Sequence, residues 1–187
     1  MDGPVGQLVQ TADAGDPEAV GALFAALYRE LHAIAERDLR RGGSDLTLGT
    51  TTLLHEAYLN LASREDIRFA NRAHFLAYAS RAMRGLMIDY ARRRRAKKRG
   101  GELHITAVPD EEIVDGVLPD SEAMERLGDA LETLAQVDPP LANLVDLHFF
   151  CGFPLVEIAG LRDVSERTVQ RDWRKARLLL HRSMSGS

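Results

Sequence analysis

Residues 154–171 read Pro154-Leu155-Val156-Glu157-Ile158-Ala159-Gly160-Leu161-Arg162-Asp163-Val164-Ser165-Glu166-Arg167-Thr168-Val169-Gln170-Arg171, the layout of two short helices around a tight turn. Ile158 and Ala159 supply an inward face for the first helix, with Ala small enough for close packing. Leu161 and Val164 are expected to bury the turn. Asp163 stands where such turns often carry Gly, and Asp is among the few other residues that tolerate a left-handed backbone. Ser165 is a good cap for the next helix. Val169, Trp173, Ala176 and Leu180 follow at steps of four, three and four and make one inward face. Arg167, Gln170, Arg171 and Arg174 then point away from it. This is the helix-turn-helix plan, which presents its second helix to the major groove. Arg and Gln are suited to base edges and phosphates there. A helical hairpin with a solvated basic face would share the arginines, but it has no need of the cap, the turn residue and the inward spacing together.

The chain upstream reads as nearly all helix. Asp16-Pro17-Glu18 is a helix start, and Val20, Leu23, Phe24, Leu27, Leu31, Ile34 and Ala35 recur at helical spacing until Arg41-Gly42-Gly43-Ser44. A second helix is expected from about Thr51 to Ala62, and a polar loop from Ser63 to Arg68. A long third helix starts near Asn71 and runs into an arginine tract. Gly100-Gly101 breaks the pattern, and Pro109, Gly116 and Pro119 mark residues 100–120 as a flexible linker. Helix resumes at Ser121, is punctuated by Asp138-Pro139-Pro140, and continues through the apolar run Leu141 to Phe150. The expected fold is all-α: two small helical domains, 1–99 and 121–187, the second a helix-turn-helix, each with a modest core.

The net charge of −4 conceals segregation. Between Arg81 and Arg99 nine Lys or Arg stand against Asp89 alone, and between Glu102 and Glu132 ten acids stand against Arg126 alone. Two basic segments around an acidic linker imply two anion-binding surfaces. The lone Cys151 excludes an internal disulfide, and the N-terminus lacks the basic flank and apolar run of a secretory signal. No run approaches a membrane span, so a soluble, cytoplasmic protein is expected. Neither HExxH, CxxC, a phosphate-binding glycine loop nor GxSxG occurs, and the six histidines are scattered. Neither an enzyme, a metal site nor a cofactor is expected.

Phe75 to Arg95 combines an apolar face with cations. Its arginines are suited to phosphates and its aromatics to exposed bases. The bland reading is a core helix with a solvated basic tail. Together with Leu53-Leu54-His55-Glu56-Ala57-Tyr58-Leu59-Asn60-Leu61 and with Glu157-Ile158-Ala159 through Thr168-Val169 to Arg177, this stretch resembles the extracytoplasmic-function sigma factors, the minimal class of bacterial sigma subunits. The resemblance covers about 17–99 and 121–181. It implies that residues 1–99 bind the core RNA polymerase clamp and the minus-ten element, and that 121–187 bind the polymerase flap and the minus-thirty-five element. It places Phe75, Tyr78, Arg81 and Arg84 at the melted strand, with the loop Ser63–Asn71 as the pocket for an extruded base.

Three departures stand out. Gly85 replaces a usual Asn, and Asp172 replaces an often basic residue. Where the family has acids before the Leu53-Leu54 pair, facing basic clamp residues, this chain has Gly49-Thr50-Thr51-Thr52. A subset of the family resembles this pattern, and in it a threonine kinase is thought to restore the charge. The resemblance therefore implies a polymerase-binding face of Thr50, Thr51, Thr52, His55 and Glu56, phosphorylation at Thr51 with Thr52 second, and a Ser/Thr protein kinase as partner. The plain alternative is that the threonines only cap a helix. Two other classes compete with a sigma subunit: a stand-alone helix-turn-helix regulator with a helical sensory domain, and an interaction adaptor.

Overall fold

In the computed structural model the residues described are 4–13, 17–41, 48–63, 69–98 and 121–185, and they are helical with short connections. The chain runs α1 (Pro4–Asp13), α2 (Pro17–Ala26), α3 (Tyr28–Arg41), α4 (Thr50–Ala62), α5 (Arg72–Lys98), α6 (Ser121–Val137), α7 (Pro139–Val145), a π-helical turn (Asp146–Phe150), α8 (Leu155–Arg162) and α9 (Glu166–Ser185). The linker expected at 100–120, the polar residues 64–68 and the Gly42-Gly43-Ser44 stop lie outside the described residues.

The helix expected from Pro17 onward is interrupted by a one-residue turn at Leu27. Its backbone ladder is nearly unbroken there, since Leu27 N–H donates to Leu23 and Leu31 N–H to Leu27, both at 3.0 Å. The periodicity that called for one helix therefore survives the joint. Helix α1 is not foreseen by the spacing; among its described side chains Val9 is the buried anchor, too little for a periodic signal. Asp138 caps α7 through its side chain, which accepts from Leu141 N–H, and Pro139 occupies the position where a missing N–H costs nothing. The expected helix Leu141–Phe150 changes pitch at Asp146. That turn is closed by Cys151 N–H donating to the Asp146 carbonyl at 2.9 Å.

The buried apolar side chains form one continuous cluster, from Val9 through Leu53, Phe75 and Met83 to Leu144, Ile158 and Leu180. Both ends of the chain contribute to it, because α5 lies against α6 and against the π-helical turn. The contact between α5 and α6 is close. A Cβ on Gly128 would come within 2.4 Å of Ile88 Cδ1, so the bare glycine backbone is what admits that side chain.

Candidate nucleic-acid interface

Helices α8 and α9 pack against each other around a tight turn at residues 163–165. Asp163 adopts φ 52° and ψ 46°, and its N–H closes the end of α8. Ser165 Oγ accepts from Thr168 N–H at 3.2 Å, which caps α9. Val169, Ala176 and Leu180 are buried, and Trp173 is half-buried with its ring edge-on to His148, centroids 4.7 Å apart. Leu161 and Val164, expected to bury the turn, are instead 42% and 41% exposed. The turn is held by backbone and cap bonds, and those two side chains are left on the surface.

Arg167, Gln170, Arg171 and Arg174 all lie exposed on α9. Gln170 donates to Glu166 Oε1 at 3.0 Å, Arg174 Nε donates to the Gln170 carbonyl at 3.3 Å, and Arg171 lies 3.6 Å from Asp172. These are weak exposed contacts that a DNA backbone or base edge can displace. Lys175 points the other way and bonds Asp138 at 3.0 Å, which ties α9 to the start of α7.

The second predicted surface is arranged differently. Phe75 is 0% exposed and packs edge-on to Phe69, centroids 5.1 Å apart, so it is a core residue and offers no face to a base in this conformation. Tyr78 is half-buried against the same Phe69. Arg81 and Arg84 converge on one carboxylate, Asp146. Arg81 donates to Oδ2 through Nε at 3.0 Å and Nη2 at 2.7 Å, and Arg84 donates to Oδ1 through Nη1 at 2.6 Å. Arg84 is 7% exposed and its guanidinium lies 4.4 Å from the Phe150 ring centroid. Beside them Arg41 covers the Phe149 ring at 4.2 Å and donates to the Phe149 carbonyl at 2.5 Å, while Arg37 donates to the Phe150 carbonyl.

Asp146, Arg37 and Arg41 were not singled out by sequence. The available signal was Asp146 itself, an acid within the apolar run Leu141–Phe150. Asp38 sits in the same cluster, 1% exposed, and burial pushes its carboxyl up to about 7 against the lowering influence of Arg41, Arg37 and Arg84. Burial also pushes the Cys151 thiol up to about 12, which makes it a poor nucleophile.

Helix α4 opens on Gly49, whose extended backbone makes no side-chain cap, so Thr50, Thr51 and Thr52 are the first helical residues rather than the cap. No acid occupies that first turn. Thr51, Thr52, His55, Glu56 and Leu59 are exposed along one stripe, and Thr50 is half-buried. Among the described residues no His, Cys, Asp or Glu group is arranged to hold a metal, and no helix is long and apolar enough to cross a membrane.

A family model described as ECF sigma factor matches residues 2–186. No curated protein and no solved structure matches the chain.

Proposed function

We propose, from the premise that this chain belongs to the ECF sigma factor family, a division of labour between its two halves and a chemical switch on the first. As a family member it is a sigma subunit whose partners are core RNA polymerase and promoter DNA. In our reading residues 1–99 form the sigma-two-like half, for the clamp and the minus-ten element. Residues 100–120 are the linker, and 121–187 form the sigma-four-like half, for the flap and the minus-thirty-five element. The observation that carries this is α9, with Arg167, Gln170, Arg171 and Arg174 exposed opposite a buried Val169-Ala176-Leu180 face. The reading gives the chain no catalytic step and no cofactor.

The switch rests on α4. Its first turn carries three threonines and no acid, two of them exposed, at the positive end of a helix dipole with no side-chain cap. A phosphate on Thr51 brings about −1.5 to −2 charge and three acceptor oxygens to the stripe shared with His55 and Glu56. Facing a basic clamp surface, it makes charge-assisted bonds that the unmodified chain lacks. Thr52 is the second choice, and the modifying partner is a Ser/Thr protein kinase.

Run-off transcription with core polymerase lacking other sigma subunits tests the first claim. A stand-alone regulator would footprint DNA without polymerase and start no transcript. Polymerase binding before and after treatment with a threonine kinase of the same genome tests the second. Affinity is expected to rise at least about tenfold, the low end for a close charge pair. Equal, tight binding by unmodified protein and by Thr51→Ala removes the switch.

A further inference from the structure

The arginines expected to meet DNA on the first half are not free. Arg81 and Arg84 from α5, which the resemblance places at the melted strand, converge with Arg37 and Arg41 from α3 on residues 146–150. What the second half offers is a set of acceptors. They are the Asp146 carboxylate and the carbonyls of Phe149 and Phe150, the last of the helical run. Carbonyls at a helix C-terminus lack intrahelical donors and carry the negative end of its dipole. The π-helical turn brings both carbonyls and the carboxylate to the same side, and such turns often mark functional positions. Phe149 and Phe150 add ring faces under Arg41 and Arg84. A carboxylate, carbonyl oxygens and flat ring faces against guanidinium groups match the chemistry of a nucleic-acid strand, with its phosphate oxygens and bases.

We propose that Arg37, Arg41, Arg81 and Arg84 form one anion-binding site for the sugar-phosphate backbone of promoter DNA, and that Asp146 with Phe149 and Phe150 plugs this site in the free protein. The second half is thus an internal competitor for the ligand of the first, and the chain opens at this interface before it holds DNA there. Two of the four arginines, Arg37 and Arg41, are not among the residues that the resemblance assigns to DNA, and only this convergence assigns them. Asp38 lies within the same cluster, 3.8 Å from Arg41. The DNA ligand rests on the sigma reading, whereas the plug itself does not.

Cys151 is a built-in reporter, because this half-buried residue carries its thiol beside Ser80 of α5 and near Asp38 of α3. The test uses the full chain with Asp146→Ala and, as a shape-conserving second variant, Asp146→Asn. Three quantities are measured: the rate of Cys151 with an aromatic disulfide reagent, the affinity of the free protein for a fluorescein-labelled duplex of arbitrary sequence, and the far-ultraviolet helical signal. Removing Asp146 leaves Arg84 buried without its counter-charge, so the thiol rate and the DNA affinity are both expected to rise about tenfold or more. Helical signal is expected to stay at the wild-type level. Adding Arg37→Gln and Arg41→Gln to the Asp146→Ala chain should cancel the gained affinity and lower the log–log salt slope by about two, one for each phosphate contact. The exchange Arg84→Asp with Asp146→Arg should slow the thiol again.

Unchanged thiol rates in both variants overturn the plug. So does collapse of the helical signal, which makes Asp146 a structural core residue. Opening without a gain in DNA affinity overturns the anion site. Run-off transcription by the wild-type chain is read separately. A chain that transcribes but fails these tests loses this inference alone, and one that opens but never transcribes loses the sigma reading.

Discussion

At Asp38 a carboxylate is held 1% exposed, 3.8 Å from Arg41, and neither of its oxygens accepts a hydrogen bond from a described residue. Burial raises its pKa from 3.8 to about 7, outweighing the nearby arginines. Below the unfolded value both states hold the proton and the group has no effect on stability. As pH rises toward 7 only the unfolded chain releases it, so stability falls across that window and the loss is complete above it. Asp38→Asn removes this loss. Its melting temperature should equal wild type near pH 3 and exceed it by about 8–16 °C at pH 8, given a difference of the order of 4 kcal/mol. Calorimetry across pH checks this, and parallel curves for the two proteins would contradict it. Gly152, at φ 78°, belongs to the same interface: a Cβ there would lie 2.3 Å from Arg37 Nη1. Gly152→Ala is therefore strained in its backbone and has to displace the Arg37 guanidinium from the Phe150 carbonyl. It should cost more than about 1 kcal/mol in denaturant unfolding and speed the Cys151 thiol.

Among the elements, α9 was the most legible. Its cap, its left-handed lead-in at Asp163 and its inward spacing are all set by neighbours within four residues, so sequence alone carried them. Loss of a base-reading side chain among Arg167, Gln170, Arg171 and Arg174 should cost about 1–3 kcal/mol and relax specificity at one base pair. Loss of a phosphate contact should weaken all sequences alike and reduce the salt slope by about one. Footprints and salt titrations of the four alanine variants separate the two roles, and unchanged footprints in the quadruple variant would refute the assignment. Helix α5 was only half legible. Its length and apolar face follow from spacing, but spacing could not tell that Phe75 faces the core while Arg81 and Arg84 face Asp146.

For the whole molecule, two electrostatic regimes coexist. Arg84 and Asp146 are almost wholly enclosed, with side chains 8% and 2% exposed, so mobile ions screen them little. The arginines of α9 are exposed, and the DNA contacts proposed for them would be screened and depend on counterion release. Between roughly 0.1 and 0.5 M salt, duplex binding should fall by orders of magnitude. The Cys151 thiol rate should change less than about twofold over the same range, because the enclosed pair is insulated from it. A thiol rate that climbs with salt in parallel with DNA release would mean that the interface is held by exposed charge instead.

By itself the sequence determined the helical class, most element boundaries and the tight turn between α8 and α9. These depend on contacts three or four residues apart, on caps and on turn residues, all readable in a short window. It also showed the missing acids ahead of Leu53, since an absence of charge needs no partner to be seen. Tertiary structure alone decided what the basic residues of the first half do. Arg84 meets Asp146 across 62 residues, and Arg37 reaches the Phe150 carbonyl across 113. Charge patterning shows that an arginine seeks an anion. Which anion it finds depends on which helices share the core, and that is settled by long-range burial of side chains such as Met83, Leu144 and Phe150, whose spacing within each helix is the same whatever they pack against.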